Sequence, residues 1–253
     1  MLSSRNISFF GTLRIPTLLL PLILVSAVYA DGSVTRLDRR VLSAREIDAN
    51  VSRLMQAAHV TGLGVAVFND GKLVYQKAHG VKDRKTGAPL TEHSVFYGAS
   101  LAKAVFGTYV MQLVEAGTLD LDAPIERALG RPLSEFPDFR DLAGDERARR
   151  FTLRMLLNHT SGLPNWRRFM PDQKLAIYFE PGSRYAYSGE GIAIAQLVVE
   201  TVTKRSIDDT IQERIFSPLG MTRTAMVWRP AFASDLEPIP IMSEKELYPA
   251  GVV

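Results

Sequence analysis

The chain of 253 residues contains no cysteine. That excludes disulfides, thiolate chemistry and lipid attachment through an N-terminal cysteine, and it leaves the fold to be held by its core. Histidine is scarce as well: the four, His59, His79, His93 and His159, are scattered, and no pair has metal-ligand spacing. No cofactor is expected. A long apolar run is also missing, since the stretch from Ile15 to Val25 contains Pro16 and Pro21 and falls short of the roughly 20 residues that span a bilayer. Neither charge dominates: outside the first 30 residues, which carry Arg5 and Arg14 and no acid, 28 basic side chains face 27 acidic ones, a formal charge of +1. That balance argues against a nucleic-acid partner. The arginines at 147, 149, 150, 154, 167 and 168 are interleaved with Asp141, Asp145 and Glu146 and read as a solvated face.

What is present begins with an export pattern. Two arginines, an apolar segment and Ser-Ala-Val-Tyr-Ala before Asp31 read as a signal peptide over residues 1–30, with cleavage after Ala30. The expected destination is periplasmic or secreted, with the membrane touched only during export. With 46% hydrophobic residues, the remainder can bury one sizeable core and shows no repeat or low-complexity tract.

A polar lead over residues 31–43 precedes a domain spanning 44–253. The segment Ala44 to Ala58 places Ile47, Val51, Leu54 and Met55 on one side, as an amphipathic helix would. Leu63 to Phe68, the turn Asn69-Asp70-Gly71 and the alternating Lys72 to Ala78 predict a β-hairpin. Gly80 to Glu92 is a polar loop. Helices are predicted from Ser100 to Ala116, stopped by Gly117, and over Thr152 to Asn158, Glu190 to Thr203 and Ser206 to Phe216. Strands followed by helices predict an α+β fold. A two-stranded hairpin is marginal alone, and the proline-rich stretch from Trp228 to Val253 supplies no further strand, so the sheet is expected to be incomplete here, through truncation or an unseen partner.

Chemistry is concentrated at Ser100-Leu101-Ala102-Lys103. A serine and a lysine at i and i+3 of a helix project to one face, so an ammonium can reach the hydroxyl without another element moving. The helix is apolar on nearly every side, which predicts a core helix and a Lys103 buried or nearly so, whose pKa falls with desolvation. A neutral amine beside a hydroxyl activates it. The helix start adds free N–H groups and a dipole favouring negative charge by about 0.3–1 kcal/mol. By itself a four-residue Ser-x-x-Lys match is expected about once by chance in a chain of this length. Farther on, Pro181-Gly182 opens a turn, and Tyr187 or Tyr185, just ahead of a helix, could relay protons into a cleft or pack its ring beneath that helix.

With these residues in order, the chain resembles the penicillin-recognising serine hydrolases: class C β-lactamases, D-alanyl-D-alanine carboxypeptidases and related esterases. The resemblance rests on Phe96 to Lys103, Leu113 to Leu121, Leu156 to Pro164, Pro181-Gly182 with Tyr187-Ser188, and Phe216 to Thr224, and covers roughly Ala44 to Trp228. Five ordered landmarks are more specific than one Ser-x-x-Lys. The resemblance implies a β-lactamase/transpeptidase-like fold, an antiparallel sheet packed with helices plus a helix-rich subdomain. It implies Ser100 as nucleophile, Lys103 as its base, Tyr187 as the group passing a proton to the leaving group, and Ser188 and Gly189 as substrate-binding residues. The substrate implied is a small molecule or peptide carrying an ester, amide or β-lactam carbonyl.

Two departures shape the expectation. Gly189 stands where the family usually has the asparagine of Tyr-x-Asn, which leans toward an esterase- or peptidase-like hydrolase rather than a true β-lactamase. The family's Lys/His-Thr/Ser-Gly strand does not follow Tyr187; Lys85-Thr86-Gly87 spells it, but ahead of the nucleophile and in a polar loop, as a turn would. An exported binding or interaction protein descended from such a hydrolase is the competing expectation. The near match of Gly98 to Ala102 to a Gly-x-Ser-x-Gly elbow is set aside, because that elbow needs a parallel βαβ sheet. His159 is read as a loop residue near a helix end.

Overall fold

A computed structural model describes residues 33–235. The proposed signal peptide and the proline-rich end beyond Asp235 lie outside the described residues. The chain forms two compact units, one made of residues up to Ala58 together with 65–77, the other of 59–64 and 78 onward.

In the first unit, strands β1 (Val34–Thr35) and β2 (Val41–Leu42) pair antiparallel, with Val34 opposite Leu42. Both lie inside the stretch read from sequence as a polar lead, too short to show alternation. Helix α1 (Ala44–Ala57) begins where predicted, because Ser43 and Glu46 form a reciprocal capping box. Of its apolar stripe Ile47 is buried, while Leu54 is exposed. Asp48 accepts from the Tyr75 hydroxyl at 2.7 Å and pairs with the Lys77 ammonium at 2.6 Å. Burial first, and then that carboxylate, push the Tyr75 phenol well above its usual range. The hairpin strands β3 (Gly62–Asn69) and β4 (Lys72–Gly80) match the predicted pair, turned by Asp70 and Gly71 at positive φ.

The second unit holds the main core. Helix α2 (Ala102–Glu115) is preceded by a single 3-10 turn, Ala99–Leu101, and buries Phe106, Tyr109 and Val110. Around it lie α3 (Ile125–Leu129), α4 (Leu153–Leu157), α5 (Gly189–Thr203) and α6 (Ile207–Ile211). Leu156, Ile194, Val198 and Ile211 are fully enclosed, each burial worth about 1.5–3 kcal/mol. The predicted helix to Phe216 is in fact two pieces: α6, capped by Ser206, widens into one π turn over Gln212–Phe216.

The expectation of a helix buried all round fails for α2. Leu101 and Met111 are exposed, as are Ala104 and Thr108 on the same side, so Lys103 is half-buried. Composition marks a face as apolar without saying what covers it. Lys85-Thr86-Gly87 is a turn: Asp83 accepts from the Lys85 N–H at 2.7 Å and the Thr86 hydroxyl at 3.1 Å, and Gly87 has φ +68°. These residues therefore form a local loop as the polar pattern predicts. Among the described residues no helix is long and apolar enough to cross a membrane.

Candidate active site

Ser100 sits in the 3-10 turn that opens α2, and its hydroxyl is exposed. No side chain caps this helix start, and the residue before the serine, Ala99, is held at φ +42°. A non-glycine residue there is strained, at a cost on the order of 1–3 kcal/mol, and such strain persists only where surrounding structure enforces it. The turn presents Ser100 to Lys103 one helical turn on, and the Lys103 ammonium donates to Oγ at 3.1 Å. Within this turn the Leu101 N–H donates to the Gly98 carbonyl at 2.9 Å and the Ala102 N–H to the Ala99 carbonyl, so the backbone of the turn closes on itself.

Tyr187 arrives from 87 residues away. Its loop is tied to the segment after α4: the Ala186 N–H donates to the His159 carbonyl at 2.9 Å, the Gly182 N–H to the Thr160 carbonyl at 2.7 Å, and the Tyr178 N–H to the Gly162 carbonyl at 2.8 Å. That close pairing requires Gly162, at φ +83°, where an added Cβ would lie 2.5 Å from the Phe179 carbonyl oxygen. Thr152 starts α4 by accepting from the Met155 N–H, which fixes where the segment leaves the helix. So held, the Tyr187 hydroxyl donates to Ser100 Oγ at 2.8 Å, and Lys103 Nζ stands 5.1 Å from its ring centre.

The electrostatics favour a reactive phenol. Partial burial pushes the Tyr187 phenol up, but hydrogen bonding with Lys103 and Ser100 and the charge of Lys103 together outweigh it, so it lies below its usual range. Oγ thus has two polar neighbours, one a fixed cation and the other an acid whose loss of a proton that cation assists.

Of the residues read from sequence, Ser100, Lys103 and Tyr187 are brought together. Ser188 and Gly189 are buried beside Tyr187, with the hydroxyl of one and the N–H of the other engaged within the chain. Ser188 is fully buried; its hydroxyl donates to the Pro164 carbonyl at 2.9 Å and accepts from the Gly191 N–H at 2.8 Å, so it is spent on capping α5. Gly189 is buried, and its N–H donates to the Asn165 carbonyl at 3.0 Å.

One neighbour was read from sequence as a plain loop residue. His159 lies with its ring centre 4.5 Å from that of Tyr187 and 5.9 Å, edge to face, from that of Tyr185. Its Nδ1 accepts from the Ser188 N–H at 3.2 Å, a bond only the unprotonated nitrogen can make. Burial first, and then the charge of Lys103, hold the imidazole below its usual pKa. The positive φ of His159, +62°, is the local feature that aims it there, and no sequence periodicity reports it. Among the described residues no cluster of histidine, aspartate or glutamate side chains is arranged to hold a metal.

Comparison with known proteins agrees with this geometry. The β-lactamase family model matches residues 47–245. The chain is 35% identical over 208 residues to penicillin-binding protein 4 of Amycolatopsis lactamdurans, covering 72% of this chain and 52% of that protein. To esterase EstB of Burkholderia gladioli it is 30% identical over 223 residues, covering 78% and 55%. The chain thus spans about half the length of these curated relatives. The D-alanine carboxypeptidase AmpC of Burkholderia cenocepacia shares the fold at TM-score 0.61 and 23% identity, over 76% of this chain and 52% of that one. A class C β-lactamase does so at TM-score 0.62 and 22% identity, over 76% and 53%. The family match, with a serine, a lysine and a tyrosine gathered at one oxygen, shows that the chain belongs to the β-lactamase family.

Proposed function

We propose that this chain carries the nucleophilic centre of a serine hydrolase that works through an acyl-enzyme on ester or amide carbonyls, esterase- or peptidase-like rather than a true β-lactamase. The observation that carries the reading is Ser100 Oγ standing 3.1 Å from Lys103 Nζ and 2.8 Å from the Tyr187 hydroxyl. Two curated relatives named as esterases, EstB and the lovastatin esterase of Penicillium rubens at 33% identity, support the ester side of it.

In the acylation step the Tyr187 phenolate, favoured by the Lys103 charge, takes the Ser100 proton as Oγ bonds to the carbonyl carbon. The oxyanion that results takes a hydrogen bond from the Ser100 backbone N–H. Collapse breaks the bond to the alcohol or amine, which leaves with the proton from Tyr187. Water, deprotonated by the same phenolate, then releases the acid and restores Ser100.

A fluorophosphonate probe followed by peptide mass spectrometry tests this. An adduct on Ser100 that Ser100→Ala abolishes is the expected result. Well-folded protein that takes no adduct would instead support a binding protein. Export rests on the Arg5, Arg14 and Ile15 to Val25 pattern, and N-terminal sequencing of the exported chain should begin at Asp31.

A further inference from the structure

Trp166 occupies the space that a side chain at position 189 would fill. A Cβ placed on Gly189 would lie 2.6 Å from Trp166 Cζ2 and 2.7 Å from Cη2, far inside van der Waals contact. The side of the chain on which this happens follows from the backbone. Ser188 is extended, with φ −134° and ψ 113°, and successive side chains along an extended chain point to opposite sides. Ser188 accordingly points into the core, and the positions on either side of it, Tyr187 and the vacant Cβ of Gly189, share the other face. The indole therefore stands on the Tyr187 side, one side-chain position from the phenol that touches Ser100.

The ring cannot easily retreat. Immediately before it, the Asn165 carbonyl accepts from the N–H groups of Gly189 and Glu190 at 3.0 and 3.1 Å. Immediately after it, the Arg167 N–H donates to Glu190 at 2.9 Å, and the Arg167 guanidinium holds the same buried carboxylate at 3.1 and 2.8 Å. Both ends of the tripeptide are bolted to the start of α5. Trp166 itself is only partly buried, with the Arg168 guanidinium 5.3 Å from its ring centre on one side.

We propose that Trp166 is the specificity-determining residue of this site: a rigid apolar wall beside Tyr187 that selects substrates carrying an uncharged aryl or branched alkyl group next to the scissile carbonyl. The indole offers a broad apolar surface and one N–H donor, so a group that gains from leaving water is favoured over one that needs both a donor and an acceptor. Gly189 fits both neighbours, since an added Cβ would meet the indole and would also lie 2.7 Å from the Asn165 carbonyl oxygen. This inference rests on the hydrolase reading above and sharpens it to a substrate class.

The test compares p-nitrophenyl phenylacetate with p-nitrophenyl acetate on the full chain, with adduct formation at Ser100 followed by intact mass. The wild type should acylate faster with the aryl ester. Trp166→Ala should cut the phenylacetate-to-acetate ratio of acylation rates by about tenfold or more, the scale of losing an apolar contact in a pocket. Trp166→Phe should cut it less; thermal unfolding of each variant checks folding. An unchanged ratio in Trp166→Ala and Trp166→Phe, with Ser100 still acylated, would overturn this proposal alone. A wild type acylated by neither ester nor fluorophosphonate would overturn it together with the hydrolase reading.

Discussion

Two helices begin within reach of one another's chemistry, each with a serine at its start, and they use it in opposite ways. At the start of α5, Ser188 is buried, extended and spent, one bond received from the Gly191 N–H and one given to the Pro164 carbonyl. At the start of α2, Ser100 is exposed, sits in a tightened turn behind a strained Ala99, and caps nothing. A serine hydroxyl at a helix start is normally consumed by the backbone, because an accepted N–H is the nearest partner available. Placing Ser100 inside the first turn rather than at its cap removes that option. Its hydroxyl is left to Lys103 and Tyr187, at 3.1 and 2.8 Å. Reactivity here is a matter of what the hydroxyl is kept from doing.

The sharpest way to break the comparison is to remove the partners that replace the cap. Lys103→Ala and Tyr187→Phe should each lower acylation of Ser100 by about 10²–10⁴-fold, the range for a positioned acid or base. The double variant should fall little further, since residues acting as one unit are not additive. Because Tyr187 is depressed by Lys103, the wild-type acylation rate should rise with pH and level off before an ordinary tyrosine would ionise. Lys103→Ala should move that rise to higher pH. A pH profile unmoved by Lys103→Ala would remove the lysine's charge from the mechanism.

Swapping the question from rate to stability should reverse the ranking of the two serines. Ser188→Ala deletes a helix cap and leaves the partly buried Pro164 carbonyl without its donor, and should cost about 1–2 kcal/mol in denaturant unfolding. Ser100→Ala removes an exposed hydroxyl and should change stability by no more than about 0.5 kcal/mol while abolishing the covalent adduct. Equal losses of stability would mean that the two helix starts are not as different as their hydrogen bonds indicate.

Local pattern carried much of this to the reader of the sequence. The amphipathic stretch of α1, the hairpin turn at Asp70-Gly71 and the i to i+3 spacing of Ser100 and Lys103 depend on neighbours a few residues away, and each appears where the spacing put it. Tyr187 was legible only through its motif, because nothing local states that it crosses to residue 100. What stayed hidden depends on contacts between distant segments. The burial of Ser188, the indole over Gly189 and the imidazole on Tyr187 all arise because residues 159–167 run beside 178–190, and apolar periodicity is blind to that pairing. The open side of α2, with Leu101, Ala104, Thr108 and Met111, stayed hidden for the same reason, as an apolar helix does not announce which of its sides is covered.

The smallest expected effect concerns the residue that links the two helix starts. His159 receives the Ser188 N–H on Nδ1 and lays its ring against Tyr187, so it must stay neutral for both. In the unfolded chain a histidine takes up its proton near pH 6.5, whereas here burial and the Lys103 charge delay that uptake to lower pH. Between those two values the unfolded state binds the extra proton, so folding stability should decline as pH falls from about 6.5 and flatten once the folded imidazole is protonated as well. His159→Asn supplies an acceptor for the Ser188 N–H and tolerates φ +62°, but has no proton to gain. Denaturant unfolding across pH 5 to 7.5 should therefore show a shallower slope for His159→Asn than for the wild type. Identical slopes would mean that the imidazole is not held neutral by this setting, and the two helix starts would then be tied by shape alone rather than by a titrating hinge between them.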